Sequence, residues 1–457
     1  MTKKKSKKLW VSDARLDSLI EEFTIGKDRG LDIHLAAYDI QGTLAHIKML
    51  KKVGLLTEDE YLRIKEELFD MYDQVKKVKF AIDPGIEDIH SQIEISLTER
   101  LGDIGKKIHS GRSRNDQVLL DLKLFIREQI KGVVKETIIL FNTLIELSEK
   151  YKERGMPGYT HTQIAMPSSF GLWFAAFAES LVDDMILLKS AHEINNKNPL
   201  GSAAGYGSTF PLDRQLTGKL LGFKDLNYNS IYAQMGRGKS ERIVAQAIAS
   251  VADTLSRLAN DIINFMSQNY NFIAFPADIT TGSSIMPHKK NPDVFEIIRA
   301  RCNKIKYLPN EIQLMTTNLT TGYHRDLQLV KENFIPMLFE IQQCINIMNL
   351  VLHKIEIKKD ILNDDIYQNI YSVEAVNHLV MKGLSFRDAY DKVAEQISSG
   401  TYKRPKHIPY THQGSIGNLC NDKIKDMMKA VVDKFGFDKI DKAIDKLLSR
   451  TSNLKKQ

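Results

Sequence analysis

The chain has 457 residues, of which 43% are hydrophobic and 26% are charged, a composition typical of soluble globular proteins. This length allows roughly two to four ordinary domains, or one elongated assembly with a large core. The formal net charge is +7, and much of the excess lies in the lysine-rich residues 1–8. Since no nucleic-acid-binding motif follows, we interpret this start as a solvated tail and expect no nucleic-acid partner.

Cysteine usage and apolar runs indicate the compartment. Cysteine occurs at three widely separated positions without metal-ligand spacing: Cys302, Cys344 and Cys420. We therefore expect no disulfide framework, no zinc site and a reducing cytoplasm. The longest apolar run, residues 170–188, is interrupted by Glu179, Asp183 and Asp184, which favours a buried helix over a membrane span. No apolar segment follows the lysine-rich start, so no secretory signal is expected.

Long helices are predicted where proline, which disrupts helix interiors, is absent. Between successive prolines, the longest gaps are residues 85–156, 212–275 and 337–404. In the first two, apolar residues recur in the register of one helix face. They are Leu122, Ile126, Val133, Leu140, Leu144 and Leu147, followed by Val244, Ile248, Val251, Leu255, Leu258, Ile262 and Phe265. No strand-like alternation of similar length occurs, so we predict a mainly α-helical protein.

Breaks in this pattern predict three segments. Residues 1–110 contain shorter helices, residues 111–360 contain the long helices, and residues 361–457 form a small helical domain. A long apolar seam must be covered by helices of similar length, from the same chain or from other subunits. We predict a bundle of long helices in a homo-oligomer. The alternative is a monomer with a compact four-helix core.

Four polar segments lie at the ends of the long helices, where loops commonly carry functional side chains. They are residues 109–118, 158–167, 281–293 and 321–332. Each alone has a structural interpretation: a charged cap, a hydrogen-bonded histidine, a surface loop or a solvated helix face. Together they supply arginine and amide donors, hydroxyls and a histidine. This set indicates a site that binds a polycarboxylate and stabilises additional negative charge without a metal.

Several of these segments match known sequence motifs. GSSIMPHKKNP, residues 282–292, resembles the signature loop of the fumarase/aspartase superfamily. Within it, HSGRSRNDQV, PLGSAAGYGSTFPLDR, GYHRDLQ and HQGSIGNL are similar to segments of the argininosuccinate lyase family. Residues 11–18, VSDARLDS, depart from the family pattern, as do residues 229–242, NSIYAQMGRGKSER. The roles of the N-terminal segment, Arg237 and His288 are therefore left open.

The resemblance implies a three-domain, all-α homotetramer with a central bundle of long helices, whose active sites each gather segments from three chains. It also implies a cytoplasmic enzyme of arginine biosynthesis that acts without a cofactor or metal. The reaction would split argininosuccinate reversibly into arginine and fumarate by β-elimination through an aci-carboxylate. Two alternatives remain: a related lyase acting on adenylosuccinate, malate or aspartate, and a non-catalytic crystallin-like protein.

By the same resemblance, Ser283 is the general base, and Lys289 and backbone N–H groups near Gly282 stabilise its oxyanion. His161, paired with Glu296, is either the general acid toward the departing nitrogen or a group that orients substrate. The positions that hold substrate are Arg112, Ser113, Arg114, Asn115, Thr160, Asn291, Tyr323, Gln328 and Lys331. Asn291 has a second interpretation, because NPD also predicts a helix start with Asn291 as the N-cap.

Overall fold

The computed structural model describes residues 18–405, 408 and 410–450. The N-terminal segment that departs from the family pattern lies almost entirely outside these residues. The α-helices are α1 Ser18–Ile25, α2 Asp28–Asp32, α3 Ala36–Lys52, α4 Glu58–Lys76, α5 Ile89–Leu101, α6 Asp103–Lys106, α7 Arg114–Lys150, α8 Phe170–Asn195, α9 Arg214–Leu220, α10 Ser230–Met235, α11 Lys239–Met266, α12 Asp293–Met315, α13 Asp326–Leu352, α14 Ser372–Met381, α15 Phe386–Ser398, α16 Asn421–Val432 and α17 Phe437–Leu447.

The strands are short and form two-stranded pairs. They are β1 Gly155–Thr160, β2 Gln163–Ser169, β3 Lys197–Asn198, β4 Asp225–Leu226, β5 Ile273–Ala274, β6 Thr281–Gly282, β7 Lys290–Asn291 and β8 Glu356–Ile357. Strand β1 pairs antiparallel with β2, β5 with β8 and β6 with β7, whereas β3 and β4 are parallel. The prediction of an all-α fold is confirmed, because the strands are only accessory to the helices.

Five long helices, α7, α8, α11, α12 and α13, form the central bundle. Helix α11 packs against α8, α12 and α13, and α7 packs against α8 and α13. Both predicted apolar seams are buried in this bundle, apart from Phe265, which is half-buried. Helices of the chain itself therefore cover the seams, and the seams alone do not require a second copy. Large apolar side chains remain exposed elsewhere on α8 and α12: Ile186, Leu187, Ile194, Ile297, Tyr307 and Leu314.

The β1–β2 hairpin was not expected from the sequence. Its strands contain Pro157 and Pro167 and lack apolar alternation, so the usual strand signals are missing. His161 and Thr162 form the two-residue turn, with φ of 53° and 61°. Two consecutive positive φ values are those of a type I′ turn, which normally takes asparagine and glycine. Histidine and the β-branched threonine are unfavourable at positive φ, so the backbone of this turn is strained.

The C-terminal region contains two packing units. Helices α14 and α15 form a small core around Val376, Ala389 and Val393, whereas α16 packs on α8 and α17 packs on α3 and α9. Within the described residues, α13 alone has the length and apolar composition of a membrane span, and half of its apolar stretch is buried inside the protein. The apolar run at residues 170–188 lies in α8, as expected of a buried helix.

Candidate active site

A cleft with a volume of about 160 Å³ lies where the first turns of α7 and α13 meet α2 and the start of α5. We call it the α7–α13 cleft. It is lined by Asp28, Asp32, Glu87, Asp88, His90, Arg114, Asn115, Val118, Arg237, Tyr323, Arg325, Gln328 and Lys331. Five of the nine predicted substrate-binding residues are therefore in one cavity, although they come from segments about two hundred residues apart.

Lys331 is buried in this cleft between two carboxylates. Its Nζ lies 2.7 Å from Oδ1 of Asp32 and 2.9 Å from Oδ1 of Asp28. Burial alone would lower the pKa of Lys331, but attraction to Asp32 and Asp28 raises it above its usual range. Burial raises the pKa of Asp28 to about 6, against the opposing effect of Lys331. One ammonium group facing two carboxylates leaves this end of the cleft suited to a cationic or zwitterionic ligand group.

The other cations of the cleft are also paired. Arg114 contacts the carboxylate of Asp88 and donates to Oγ of Ser91 at 3.0 Å. Arg325 donates to Oε1 of Glu87 at 2.7 Å. These pairs leave the carboxylates neutralised by neighbouring guanidinium groups, so the walls are polar and their geometry is fixed.

Gln328 and Arg325 also hold the end of helix α1. Nε2 of Gln328 donates to the carbonyl oxygens of Thr24 at 2.9 Å and Ile25 at 3.2 Å, and Arg325 donates to Thr24 at 3.1 Å. The last carbonyls of a helix have no partner within the helix, so these side chains act as C-terminal caps. In contrast, among the residues that the structure describes, the side chains of Asn115 and Tyr323 show no hydrogen bond and are available to a ligand.

A buried polar network adjoins the cleft. Nδ1 of His90 lies 2.6 Å from Oδ2 of Asp39 and 3.3 Å from Oδ2 of Asp121. Burial opposes the charged form of His90, but the hydrogen bond that its Nδ1–H donates to Asp39 raises the imidazole pKa. Burial and the nearby Asp39 raise the pKa of Asp121 well above its usual range. Among the described residues, Asp39, His90 and Asp121 form the cluster whose ligand atoms lie close enough together to hold a metal ion.

Arg112 belongs to this network and not to the cleft wall. It is buried, and its Nη1 donates to Oγ1 of Thr43 at 2.9 Å. Ser113 is the N-cap of α7, and its backbone N–H donates to Asp116 in a capping box. The serine–arginine–asparagine–aspartate sequence fixes the start of α7 in this way, which places Arg114 and Asn115 in the cleft.

The signature loop connects β6 to β7. Oγ of Ser283 accepts hydrogen bonds from the backbone N–H groups of Met286 at 3.0 Å and Ile285 at 3.3 Å. Two converging N–H dipoles stabilise negative charge on that oxygen. The sequence predicts the donors near Gly282. Instead, they lie two and three residues after the serine. The side chain of Lys289 is exposed and forms no hydrogen bond or ion pair with a described residue.

The N-cap interpretation of Asn291 is wrong. Helix α12 begins at Asp293, its N-cap position is Pro292, and no side chain caps it. Asn291 lies in β7 instead, and its amide donates to the carbonyl oxygen of Gly282 at 3.4 Å and Oγ1 of Thr281 at 3.5 Å. Because Asn291 pairs with β6 as part of β7, it does not belong to the start of α12. Its side chain instead joins the two ends of the signature loop, which we call the loop neck.

His161 and Glu296 do not meet within one chain. His161 is at the tip of the β1–β2 hairpin, Thr160 precedes it, and Glu296 is on the first turn of α12; all three are exposed. No hydrogen bond or ion pair joins His161 to Glu296 among the described residues. The described residues of one chain therefore do not form the predicted pair.

Sequence reasoning missed several cleft residues. Asp28, Asp32, Asp88, His90 and Arg325 were not selected, although each lines the cavity. Asp88 is also the N-cap of α5 and accepts a hydrogen bond from the N–H of Ser91 at 2.8 Å. Because an aspartate before a helix is explained by capping alone, the sequence provided no reason to place Asp88 in the cleft. Arg237, whose role was left open, is buried in the cleft wall and donates to Glu241 at 3.1 Å and to the carbonyl of Leu327 at 2.9 Å. His288 is exposed and gains no role from this geometry.

Comparison of the whole chain with known proteins identifies its family. A family model described as "Lyase" matches residues 13–306. The argininosuccinate lyase of Bacteroides fragilis strain YCH46 is 54% identical over 97% of this chain and 100% of the relative. The argininosuccinate lyase of Thermotoga neapolitana is 39% identical over 86% of this chain and 98% of the relative. The chain belongs to the argininosuccinate lyase family.

Solved structures of lyases share the fold of this argininosuccinate lyase family member. An EDDS lyase variant with bound fumarate superimposes with a TM-score of 0.76 at 21% identity, covering 93% of this chain and 94% of the other. A class II fumarase from Schistosoma mansoni gives a TM-score of 0.69 at 15% identity, covering 94% and 95%. At these identities the comparison concerns the fold alone, and it confirms the predicted fumarase/aspartase-like architecture.

Proposed function

We propose that this member of the argininosuccinate lyase family cleaves argininosuccinate reversibly into arginine and fumarate, as an enzyme of arginine biosynthesis. The observation that carries the proposal is the near full-length similarity to relatives of that name. The α7–α13 cleft supports it, because its paired charges suit a small substrate that carries several carboxylates and a cationic arginine half. We propose Arg114, Asn115, Tyr323, Gln328 and Lys331 as its substrate-binding residues.

Ser283 is the proposed base. Elimination removes a proton from the carbon next to a carboxylate and produces a doubly charged aci-carboxylate, while the bond from the neighbouring carbon to the guanidinium nitrogen breaks. A serine hydroxyl is a very weak base, so its oxyanion must be stabilised before the reaction. The N–H groups of Ile285 and Met286 already point at that oxygen. Closure of the signature loop over substrate would bring the ammonium of Lys289 toward the same charge.

His161 is the proposed donor to the departing nitrogen, or a group that orients the substrate, with Glu296 as its partner. Both are exposed and apart within one chain, so this assignment requires a homotetramer in which each site takes segments from three chains. Exposed apolar side chains on α8 and α12 support such an assembly, since a partner would cover them. Thr160 at the hairpin tip and Asn291 at the loop neck would reach substrate from the neighbouring chains, and Arg112 and Ser113 would act by fixing the start of α7.

The remaining predictions are part of the same proposal. The enzyme would be cytoplasmic, without a nucleic-acid or membrane partner, and would need neither a cofactor nor a metal. Residues 1–110, 111–360 and 361–457 would be its three domains. The middle one would join the subunits and carry most of the active-site loops.

The formation of fumarate tests the proposal. Purified full-length protein is incubated with argininosuccinate, and the increase in fumarate absorbance is recorded, with adenylosuccinate as the competing substrate. Fumarate from argininosuccinate supports the proposed reaction. Activity on adenylosuccinate alone would identify a related lyase, and no turnover of either substrate would favour a crystallin-like structural protein.

A further inference from the structure

A second cavity, with a volume of about 270 Å³, adjoins the α7–α13 cleft and shares Arg237 with it. It lies between the N-terminus of α11 and the segment that connects α12 to α13, and we call it the α11 cavity. Its polar lining includes Lys239, Arg242, Thr316, Thr320, Thr321 and His324. No carboxylate is among the described residues that line it, so its charge differs from that of the neighbouring cleft.

Two cations of the α11 cavity have no counter-ion. Lys239 and Arg242 are one turn apart on α11, and neither forms an ion pair with a described residue. The Nζ of Lys239 lies 5.5 Å from the ring centre of Tyr232, and Nε of Arg242 is buried without a hydrogen-bond partner. Glu241, which lies between them in sequence, is bound to Arg237. In the α7–α13 cleft, by contrast, every cation has a carboxylate partner.

The helix itself adds to this positive potential. Helix α11 has 28 residues, and its N-cap, Gly238, offers no side chain to the first N–H groups. Gly238 has φ of 74°, and a Cβ there would lie 2.7 Å from Cγ2 of Thr316, so the close approach to α12 excludes a capping residue. The N-terminus of a helix is its positive end, where cations destabilise it and anions stabilise it. Lys239 and Arg242 therefore stand at the end of α11 that least favours them.

Gln234 supplies an independent indication of a ligand. Its side chain is 1% exposed and lines the α11 cavity. Nε2 donates to Oγ of Ser202 and to the carbonyl oxygen of Ala203, both at 3.2 Å, which fixes the orientation of the amide. Oε1 then has no partner. A buried acceptor of this kind is satisfied by a ligand that carries a hydrogen-bond donor.

We propose that the α11 cavity binds a small oxyanion with more than one negative charge, of the inorganic phosphate or dicarboxylate class. Its oxygens accept from the backbone N–H groups of Lys239 and Glu241, the hydroxyl of Thr321 and the side chains of Lys239 and Arg242, because the N–H of Ser240 and the hydroxyls of Thr316 and Thr320 already have partners within the protein. The acceptor on Gln234 favours an anion that retains an O–H group, as hydrogen phosphate does and sulfate does not. This site is distinct from the proposed reaction centre, and the proposal does not depend on the lyase activity.

Anion binding to the full-length protein tests the proposal. Phosphate, sulfate and succinate are titrated separately, with calorimetry for affinity and thermal unfolding for the melting temperature. We expect a saturable rise of the melting temperature with phosphate, and roughly tenfold weaker binding of sulfate because it cannot donate to Gln234. Preferential binding of succinate instead would assign the cavity to dicarboxylates. Binding of none of the three would overturn the proposal.

Substitution of Arg242 locates the binding site. Arg242→Gln should weaken phosphate binding about tenfold or more and should leave basal turnover unchanged. It should also raise the melting temperature without anion, because it removes a cation from the positive end of α11; a purely structural arginine predicts the opposite. Arg257→Gln, at an exposed position of the same helix, is the matched control and should behave as the wild type.

Two results would contradict this assignment. Phosphate affinity unchanged in Arg242→Gln would place the anion elsewhere, and competition between phosphate and arginine plus fumarate would place it in the α7–α13 cleft. Should Arg242→Gln fail to fold, Lys239→Gln gives the same comparison at an exposed position. Loss of phosphate binding in Lys239→Gln would support the site, and unchanged binding in that variant would overturn it.

Discussion

The backbone N–H of Met286 donates to Oγ of Ser283 at 3.0 Å, so the signature loop stabilises charge on its own serine before any substrate binds. This relationship makes Ser283→Ala the sharpest test of the mechanism. We expect kcat to fall by about a thousandfold or more, with folding intact, because the base is lost while the loop backbone remains. The rate of fumarate formation from argininosuccinate measures the effect.

The matched control is Ser284→Ala, which changes the adjacent exposed serine, whose hydroxyl forms no hydrogen bond with described residues. It should retain turnover within a few-fold of the wild type. Equal losses in both variants would indicate that the loop needs serine for its conformation and not for proton transfer.

In the proposed assembly, His161 and Ser283 reach one site from different chains, which predicts complementation between subunits. The His161→Gln and Ser283→Ala proteins should each be almost inactive. After denaturation and refolding as a one-to-one mixture, about a quarter of the sites should receive both intact residues from different chains. Fumarate formation should therefore recover to about a quarter of the wild-type rate. A mixture as inactive as its components would place both residues of each site in one chain.

The raised pKa of Asp28 predicts a pH-dependent stability. Between its ordinary value and about 6, the native state binds more protons at Asp28 than the unfolded state does. Asp28 therefore contributes stability that is complete below the ordinary pKa and is lost as pH rises through about 6. Relative to wild type, Asp28→Asn should gain up to about 3 kcal/mol of unfolding free energy between pH 4 and pH 7.

Urea denaturation across this pH range measures the difference, and Asp59→Asn, an exposed carboxylate on α4, is the control. The gain should be absent in the control. A constant difference between wild type and Asp28→Asn at all pH values would show that Asp28 has an ordinary pKa. The same variant should bind arginine more weakly, since one of the two carboxylates beside Lys331 is removed.

The strained hairpin turn predicts a stabilising substitution. Thr162 has φ of 61°, a conformation that glycine adopts without steric cost. Thr162→Gly should raise the free energy of unfolding by about 0.5–1 kcal/mol. Thr160→Gly, in the adjoining strand, should lower it instead, because glycine weakens a strand. Thermal unfolding of both variants measures the effect, and destabilisation by Thr162→Gly would show that the turn is not strained.

The helical bundle could be predicted in part, because the signals for α7 and α11 are local, whereas α12 and α13 contain Pro309 and Pro336 in their interiors, where the proline-free gaps predicted no long helix. Proline-free stretches and apolar spacing located α7 and α11, and the capping sequence beginning at Ser113 fixed where α7 starts. The β1–β2 hairpin escaped detection because Pro157 and Pro167 argue against strands and because its turn contains neither asparagine nor glycine. Its formation depends on tertiary packing, which a single-sequence pattern does not encode.

The site was predictable in part for the same reason. Arg114, Asn115, Tyr323, Gln328 and Lys331 belong to polar motifs at helix starts, and the fold brings them into one cleft. The carboxylates that surround Lys331 come from the short helix α2, where acidic residues look like ordinary helix-terminal charges. The interpretation of Asn291 as an N-cap failed because strand pairing of β7 overrode a local helix signal.

The two hydrogen bonds from Gln328 to the last carbonyls of α1 have a thermodynamic consequence for ligand binding. A substrate that recruits the amide of Gln328 competes with the protein's own N-terminal helix for the same two donors. If Gln328 binds substrate as proposed, part of the intrinsic affinity is spent on releasing α1, and occupancy of the cleft is linked to the docking of that helix. The rate of amide hydrogen exchange in residues 18–25 would then report whether the cleft is occupied.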